Sequence, residues 1–254
     1  PLFQALSYGA ASVEADIWLV NGTLLVGHTQ NELTPERTLA TLYLDPLKAM
    51  LDAANKDVPP EHPKRGIYPT APTLPLQLLI DIKSDGPTTF AALHTALEPL
   101  RSAGYLSSWN SSLSTIDISL VTVVGSGNTP IASVQALGTS GANQASGSSE
   151  ASVRDIFLDG PLASVSKDED LVSTLSPLVS TDFGATIGIA WIIPSLGKKK
   201  IRTLVQAAHA KGLQTRFWNT PAWPGFLKKC IWKMLLEEGS DWLNVDDLAG
   251  ASIF

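Results

Sequence analysis

Cysteine is almost absent from this chain of 254 residues, because Cys230 is the single one. An intrachain disulfide is therefore excluded, and so are zinc sites built from clustered cysteines. The sequence also has no Gly-x-Gly-x-x-Gly motif after a predicted strand and no phosphate-loop motif. These absences disfavour a nucleotide-binding open sheet. No apolar run is long enough to span a bilayer.

Charge is also sparse, and it is slightly acidic overall. Charged residues make up 17% of the chain and the formal net charge is −6. This balance does not favour a general surface for nucleic acid or for anionic membranes. An anionic substrate would need a local positive source, such as a metal ion or a few placed Lys and Arg. Apolar residues make up 44%, which is typical of a globular protein that buries a real core.

Short apolar runs alternate with longer helical patterns along the chain. The dipeptide Asn21-Gly22 predicts a tight hairpin between IWLV and TLLVGH. About seven strands, most of them separated by helices, indicate a parallel sheet that is either doubly wound or closed as a barrel. The predicted strands cover residues 11–16, 74–83, 115–124, 153–160, 185–192, 213–219 and 241–248.

The first candidate site residues are two carboxylates on the first predicted strand. Glu14 and Asp16 lie two residues apart in SVEADIWLV, so both side chains point to the same face of the strand. Two carboxylates in a barrel mouth repel each other and are costly to desolvate, and a hard divalent cation removes both problems. The alternative is a solvated pair at a strand end.

The next strand carries a third carboxylate in the run LLIDIK. Asp81 ends an apolar stretch, and Lys83 lies two residues further on the same face. With Glu14 and Asp16, Asp81 would complete a three-carboxylate site for Mg²⁺ or Ca²⁺. Lys83 would then face a substrate phosphate. A simple contact between Asp81 and Lys83 at a strand terminus is the alternative.

A histidine and a C-terminal set of residues extend this candidate site. His28 follows the predicted hairpin, which could fold it back over the metal, where an imidazole can act as general acid or base. A structural role for His28 is the alternative. Strand ends at the C-terminal face are where barrel active sites are built. The candidates for substrate binding at such strand ends are Arg216, Trp218, Asn219, Asn244 and Asp246.

Three motifs in one order now carry a resemblance that spans nearly the whole chain. GAASVEADIWLVNGTLLVGH, LLIDIK and RFWNTPAW…EEGSDWLNVDDL resemble the signature of the glycerophosphodiester phosphodiesterase and phospholipase-C-like phosphodiesterase superfamily. The signature is a Gly-Ala, then Glu-x-Asp, then a hairpin, then His. The cues VEADIWL, LLVGH, LTPERTL and LYLDPL are most similar to the fungal branch called altered inheritance of mitochondria protein six.

The resemblance implies an α/β fold, a TIM (β/α)8-type barrel, and phosphodiester hydrolysis. It implies a divalent metal held by Glu14, Asp16 and Asp81, and two histidines as acid and base, of which His28 is the second. In this superfamily the first histidine lies on the first barrel strand, before the helix that matches PLFQALSYG. We therefore expect this chain to lack that strand and that histidine. Thr29 also stands where the glycerophosphodiesterases usually carry Asp.

The leading functional hypothesis is a metal-dependent phosphoric diester hydrolase acting on a glycerophosphodiester or a phospholipid head group, impaired if the first histidine is missing. A nucleophilic hydroxyl of the substrate would instead give a cyclic phosphate, as in sphingomyelinase D-like lyases. One alternative is a non-catalytic barrel that binds a lipid head group or a protein partner. Another is a barrel enzyme of sugar or aldol chemistry, with Glu14 and Asp81 as an acid–base pair without metal.

Domain organisation and partners complete the expectations. Residues 1–254 are predicted to form a single, N-terminally truncated barrel domain with a flexible polar loop over residues 138–150. The expected partner is a phosphodiester or phospholipid-derived substrate, free or at a membrane surface, with no nucleic acid, and the chain is expected to be a monomer. The sequons at Asn21 and Asn110 favour a secretory route or membrane association.

Overall fold

The computed structural model describes residues 1–110, 114–137 and 153–254. The chain forms two compact units, residues 1–158 and residues 159–254. The polar loop predicted over residues 138–150 lies outside the described residues. In the described ranges, no helix combines the length and the apolar character that crossing a membrane requires.

The first unit mixes strands and helices, and a π-helical turn at Ala40–Leu44 leads directly into the helix Asp45–Asn55. Its strands are β1 (Ser12–Val20), β2 (Thr23–Val26), β3 (Leu76–Ile82), β4 (Ser108–Asn110), β5 (Thr115–Asp117), β6 (Val121–Gly127), β7 (Val153–Arg154) and β8 (Ile156–Pro161). Its helices are α1 (Leu2–Ser7), α2 (Asp45–Asn55), α3 (Gly86–Ala96), α4 (Glu98–Ser102) and α5 (Ile131–Leu137).

The main sheet of this unit is mostly parallel. Its strand order is β2-β1-β3-β6-β8, with β2 antiparallel to β1 and the other neighbours parallel. Strands β5, β4 and β7 form a separate antiparallel sheet. Along β3 every residue except Asp81 is buried, as expected for a parallel strand covered on both faces. The predicted hairpin is confirmed, since Asn21 and Gly22 join β1 to β2 with φ of 48° and 79°.

The boundary between the two units falls within β8. Its residues 156–158 belong to the first unit and pair with β6, and its residues 159–161 belong to the second unit and pair with β9. The strands that follow are β9 (Leu178–Asp182), β10 (Gln214–Trp218) and β11 (Trp242–Leu243), and all three pair in parallel. The helices of the second unit are α6 (Phe183–Ile187), α7 (Pro194–His209), α8 (Gly225–Glu237) and α9 (Leu248–Ser252).

The predicted strand over residues 185–192 is wrong, because these residues are helical. Asp182 accepts a hydrogen bond from the backbone N–H of Ala185 at 2.7 Å and begins α6, and a 3₁₀ turn at Gly188–Ile192 follows. The buried strand is instead β9, directly before the run. A short apolar run does not by itself distinguish a buried strand from a buried helix.

The fold class is therefore α/β with mostly parallel strands, as predicted. A closed eight-stranded barrel stays a prediction. Each of the two units buries an apolar core of its own, and in the second unit this core is built around Phe183, Phe217 and Ile231.

Tyr105 gives the first unit a testable dependence on alkaline pH. Its hydroxyl donates a hydrogen bond to Asp52 Oδ1 at 2.9 Å. Burial, followed by that hydrogen bond and the charge of Asp52, raises the pKa of Tyr105 to about 12. In the unfolded chain a tyrosine loses its proton near pH 10, so the folded state binds more protons than the unfolded state between about pH 10 and 12. Stability should therefore fall as the pH rises through this window.

Because solvent screens charge near the hydroxyl, we expect the free energy of unfolding to fall by only about 1 kcal/mol over this pH interval. Urea unfolding below pH 10 and near pH 12 measures it. Over the same interval the free energy of unfolding of the Tyr105→Phe variant should fall by about 1 kcal/mol less than that of the parent chain, since all other titrating groups are shared. Equal losses in the two proteins would show that Tyr105 does not contribute.

Candidate functional site

The pairing of β1 with β3 brings the predicted carboxylates together. The two strands are parallel, and Asp16 lies directly opposite Asp81 in their register. Glu14 lies two residues before Asp16, so its side chain projects from the same face of β1. One oxygen from each of these three carboxylates lies within 4.8 Å of the others. We call Glu14, Asp16 and Asp81 the acidic cluster, which the pairing of β1 with β3 brings together.

Lys83 supplies positive charge to this acidic cluster. Its Nζ lies 2.7 Å from Asp81 Oδ2 and 3.1 Å from Asp16 Oδ1. Burial lowers the pKa of Lys83, but the hydrogen bonds and charges of Asp81 and Asp16 outweigh it and hold the pKa above its ordinary value. Lys83 is therefore charged at neutral pH. Three carboxylates and one ammonium leave two formal negative charges, which is the charge that one divalent cation balances.

The hairpin returns His28 to the same carboxylates. The backbone N–H of Gly27 donates to the Asp16 carbonyl at 3.1 Å, and the indole N–H of Trp18 donates to the Gly27 carbonyl at 2.8 Å. His28 Nδ1 then lies 3.3 Å from Asp16 Oδ2. Its backbone N–H donates to Glu32 Oε2 at 2.8 Å, which holds the turn after the hairpin. The imidazole is mostly exposed, so one ring nitrogen is open to solvent or substrate.

Two buried oxygens, one in the acidic cluster and one opposite it on β6, bear on whether the site suits a cation. Asp81 Oδ1 is buried and, among the described residues, accepts no hydrogen bond. Ser126, opposite Asp81 in the register of β3 and β6, has a buried hydroxyl that is likewise unpartnered within the described chain. Burying such oxygens without partners is costly. With a donor set made only of carboxylate oxygens, these residues fit a hard divalent cation.

Three supporting residues were missed by the sequence analysis. Gly127 has φ of +62°, and a Cβ built on it would lie 2.0 Å from Asp81 Oδ1 and 2.6 Å from the Ile82 carbonyl oxygen. The Tyr43 hydroxyl donates to the Glu14 carbonyl at 2.9 Å. Ser126 precedes Gly127 at the end of β6. The run VVGSGN, with glycines closing an apolar strand, was the available signal for Ser126 and Gly127.

A cavity of about 810 Å³ opens beside Lys83 in the first unit. The hydrogen bonds of Asn128 Nδ2 to the carbonyls of Lys83 and Ser84, at 3.3 and 3.1 Å, frame one side of it. Its remaining walls are largely apolar and come from the end of β1, the hairpin and the turn after it. The apolar lining residues are Trp18, Leu19, Val20, Leu25 and Leu33.

The C-terminal candidates lie in the second unit, at the ends of β10 and β11. Arg216 is buried and donates to Asn244 Oδ1 from Nε at 3.0 Å and from Nη2 at 2.6 Å. Asn219, at φ of 55°, donates to Asp182 Oδ2 at 2.7 Å. Trp218 and Asp246 are exposed. The structure thus joins Arg216 to Asn244, and a substrate-binding role for these five residues stays a prediction.

The sheet and its carboxylate cluster define an α/β protein with a candidate cation site at the carboxyl ends of parallel strands. A family model described as "AIM6-like phosphodiesterase domain" matches residues 1–145. The chain belongs to this phosphodiesterase-type family, which confirms the resemblance drawn from the sequence motifs. No solved structure matches the chain.

Curated fungal relatives cover nearly all of the chain. The altered inheritance of mitochondria protein 6 homolog of Arthroderma benhamiae is 36% identical, with 97% of this chain and 75% of that protein covered. The altered inheritance of mitochondria protein 6 of Eremothecium gossypii is 35% identical, with coverages of 100% and 66%. The protein of that name from Saccharomyces cerevisiae is 34% identical, with coverages of 99% and 67%. The chain thus spans about two thirds to three quarters of the length of these relatives.

Proposed function

We propose that this chain is a metal-dependent phosphoric diester hydrolase whose substrate is a glycerophosphodiester or a phospholipid head group. One observation carries the proposal. Glu14, Asp16 and Asp81 offer oxygens within 4.8 Å of one another, and both Lys83 and His28 contact these carboxylates. Family membership adds the phosphodiester as the bond to be cleaved.

Glu14, Asp16 and Asp81 would hold the cation, Mg²⁺ or Ca²⁺. A divalent cation bound there supplies positive charge to the phosphodiester oxygens and favours formation of a nucleophile. The buried, unpartnered Oδ1 of Asp81 supports this ligand role. The hydrogen bond from the Tyr43 hydroxyl to the Glu14 carbonyl and the glycine at position 127 support the positions of these residues.

Lys83 and His28 supply the remaining chemistry. The Lys83 ammonium, oriented by Asp16 and Asp81, stabilises negative charge that develops on the phosphoryl oxygens. If His28 Nδ1–H donates to Asp16 Oδ2, then Nε2 carries the lone pair and can accept a proton from the nucleophile. Asp16 thereby orients the imidazole and stabilises its protonated form.

The cavity beside Lys83 supports a substrate with an apolar substituent. Its walls are lined by Trp18, Leu25 and Leu33 among other apolar residues, and Lys83 forms part of the same wall. A phosphodiester that contacts Lys83 can therefore place a glyceryl or acyl substituent against this apolar surface. A small polar diester would leave this apolar surface hydrated and would therefore bind less tightly.

A non-catalytic phosphodiester-binding protein is the alternative, and one observation favours it. In the described residues His28 is the one histidine that contacts the acidic cluster. Of the other three, His62 lies in the loop after α2, His94 lies in α3, and His209 pairs with Asp241. Cleavage of a phosphodiester with acid and base catalysis uses two proton-transfer groups. A chain with one such group could retain cation and ligand binding without turnover.

The test measures turnover of a lysoglycerophospholipid and of a glycerophosphodiester with Mg²⁺ or Ca²⁺, before and after addition of a chelator. We expect turnover that the chelator abolishes. Asp81→Asn should lower it by about 10²-fold or more, because it removes charge from the cation site. Asp57→Asn is the matched control, since Asp57 is exposed just after α2 and lies outside both the acidic cluster and the cavity, and its activity should be unchanged.

Product analysis separates water as nucleophile from a substrate hydroxyl, which would leave a cyclic phosphate. Calorimetry with the cation alone completes the design. Cation binding that depends on Asp81, without turnover of either substrate, would establish the binding protein instead. Turnover that survives the chelator and the Asp81→Asn change would overturn the metal-dependent mechanism.

A further inference from the structure

Six large apolar side chains are exposed in two neighbouring segments of the second unit. We call this set the apolar rim, and its members are Ile189, Ile192, Ile193, Leu196, Trp223 and Phe226. Ile189, Trp223 and Phe226 are 83%, 84% and 73% exposed. Single exposed apolar residues are ordinary, but a group of this size that includes Trp and Phe marks an interaction surface.

The fold holds both segments of the apolar rim firmly. They follow β9 and β10, which are adjacent and parallel, and the side chains of Asp182 and Asn219 are hydrogen-bonded where the segments begin. The first segment is anchored by Ala190 and Trp191, which pack on the apolar core, whereas Ile189, Ile192 and Ile193 are exposed. Gly197 lets α7 approach closely, since a Cβ there would lie 2.9 Å from the Trp191 Cα.

On both segments, exposed lysines follow a rim residue by one helical turn. Leu196 is followed at positions i+3 and i+4 by Lys199 and Lys200 on α7, and Phe226 is followed at i+3 by Lys229 on α8. All three lysines are exposed. The adjacent Lys198 and Lys228 pair with Glu237 and Asp247, whereas ion pairs among the described residues include none of these three. The rim thus carries local positive charge on a chain whose net charge is −6.

We propose that the apolar rim inserts into the surface of a lipid bilayer that contains anionic phospholipids. One helical turn spans about 5.4 Å, so each lysine lies close enough to its rim residue to contact anionic headgroups when the rim reaches the acyl boundary. Trp223 suits that boundary, where tryptophan is enriched. Lysine is depleted in protein interfaces, and two copies of a lysine-flanked rim would repel each other, so the charge pattern favours lipid over a protein partner or a second copy.

Vesicle flotation with the full chain tests this proposal. The vesicles are phosphatidylcholine alone or phosphatidylcholine with phosphatidylserine, and chelator is present throughout so that turnover plays no part. We expect binding to the phosphatidylserine vesicles that weakens with added salt. Trp223→Ser with Phe226→Ser should lower the affinity about 10-fold or more. Lys199→Glu with Lys200→Glu should lower it about 10-fold and reduce its salt dependence.

Phe3→Ser is the matched control, because Phe3 is also largely exposed but belongs to α1 in the first unit. Its affinity for the vesicles should equal that of the parent chain. The proposal is wrong if the parent chain binds neither vesicle, or if Phe3→Ser weakens binding as much as the rim variants do. A concentration-dependent dimer that the rim variants dissociate, without vesicle binding, would assign the rim to a second copy. None of these measurements depends on catalysis, so the result is independent of the proposed hydrolase activity.

Discussion

Replacing Asp155 with alanine is expected to lower the free energy of unfolding by about 3 kcal/mol or more. Asp155 is buried between β7 and β8, and its Oδ2 accepts a hydrogen bond from Arg101 Nε at 2.6 Å. Arg101 Nη2 also donates to the His94 carbonyl, so the guanidinium ties α3 and α4 to the start of β8. Without Asp155 the guanidinium keeps its charge in a half-buried position, and loss of one partner of such a pair is more costly than loss of both.

The control for this prediction is Glu98, the other carboxylate that pairs with Arg101. Glu98 Oε2 lies 2.6 Å from Arg101 Nη1, but the Glu98 side chain is 59% exposed. Glu98→Ala should therefore destabilise the protein far less than Asp155→Ala, because an exposed pair three residues apart on a helix contributes little to stability. Urea unfolding of the two variants and the parent measures the difference. Equal losses for Asp155→Ala and Glu98→Ala would contradict the assigned role of burial.

The elements that could be predicted from the sequence are those fixed by local chemistry. Asn21-Gly22 supplies positive φ at both turn positions, which only a few residues tolerate, so the hairpin follows from the dipeptide. The spacing of Glu14 and Asp16 fixes their common face, and Asp81 ends a strand that is otherwise buried. The register that sets Asp16 opposite Asp81 is a long-range property, but both residues lie near the carboxyl ends of adjacent parallel strands, which made their proximity predictable.

The elements that could not be predicted depend on tertiary contacts. Residues 185–192 are as apolar as a buried strand, but β9 ends at Asp182, whose side chain caps the helix that begins there by accepting from the Ala185 N–H. The hydrogen bond from Tyr43 to the Glu14 carbonyl joins residues 29 positions apart, and nothing in the local pattern around Tyr43 indicates it. The exposure of Trp223 and Phe226 could not be predicted either, because large aromatic residues are more often buried than exposed.

The candidate cation site also depends on a residue with no side chain. Gly127 closes β6 with φ of +62°, a conformation that costs an alanine about 1–2 kcal/mol. A Cβ would also lie 2.0 Å from Asp81 Oδ1 and 2.6 Å from the Ile82 carbonyl oxygen. The carboxylate can rotate away, but the carbonyl is backbone and accepts a hydrogen bond from the Asn128 N–H at 2.8 Å. Substitution at position 127 therefore displaces both the candidate ligand Asp81 and the end of the strand that carries it.

Gly127→Ala is expected to lower the free energy of unfolding by about 3 kcal/mol and to weaken divalent cation binding by about 10- to 100-fold. Gly9→Ala is the matched control, since Gly9 has φ of +78° but open space where its Cβ would lie. It should show only the backbone cost of about 1–2 kcal/mol, with cation binding unchanged. Urea unfolding and calorimetric titration with Mg²⁺ and Ca²⁺ measure the two effects. If both variants bind the cation equally well, Asp81 is not a ligand held in place by Gly127. If both lose affinity equally, the loss comes from general destabilisation, and the close contact between Gly127 and the Asp81 carboxylate has no special role in the site.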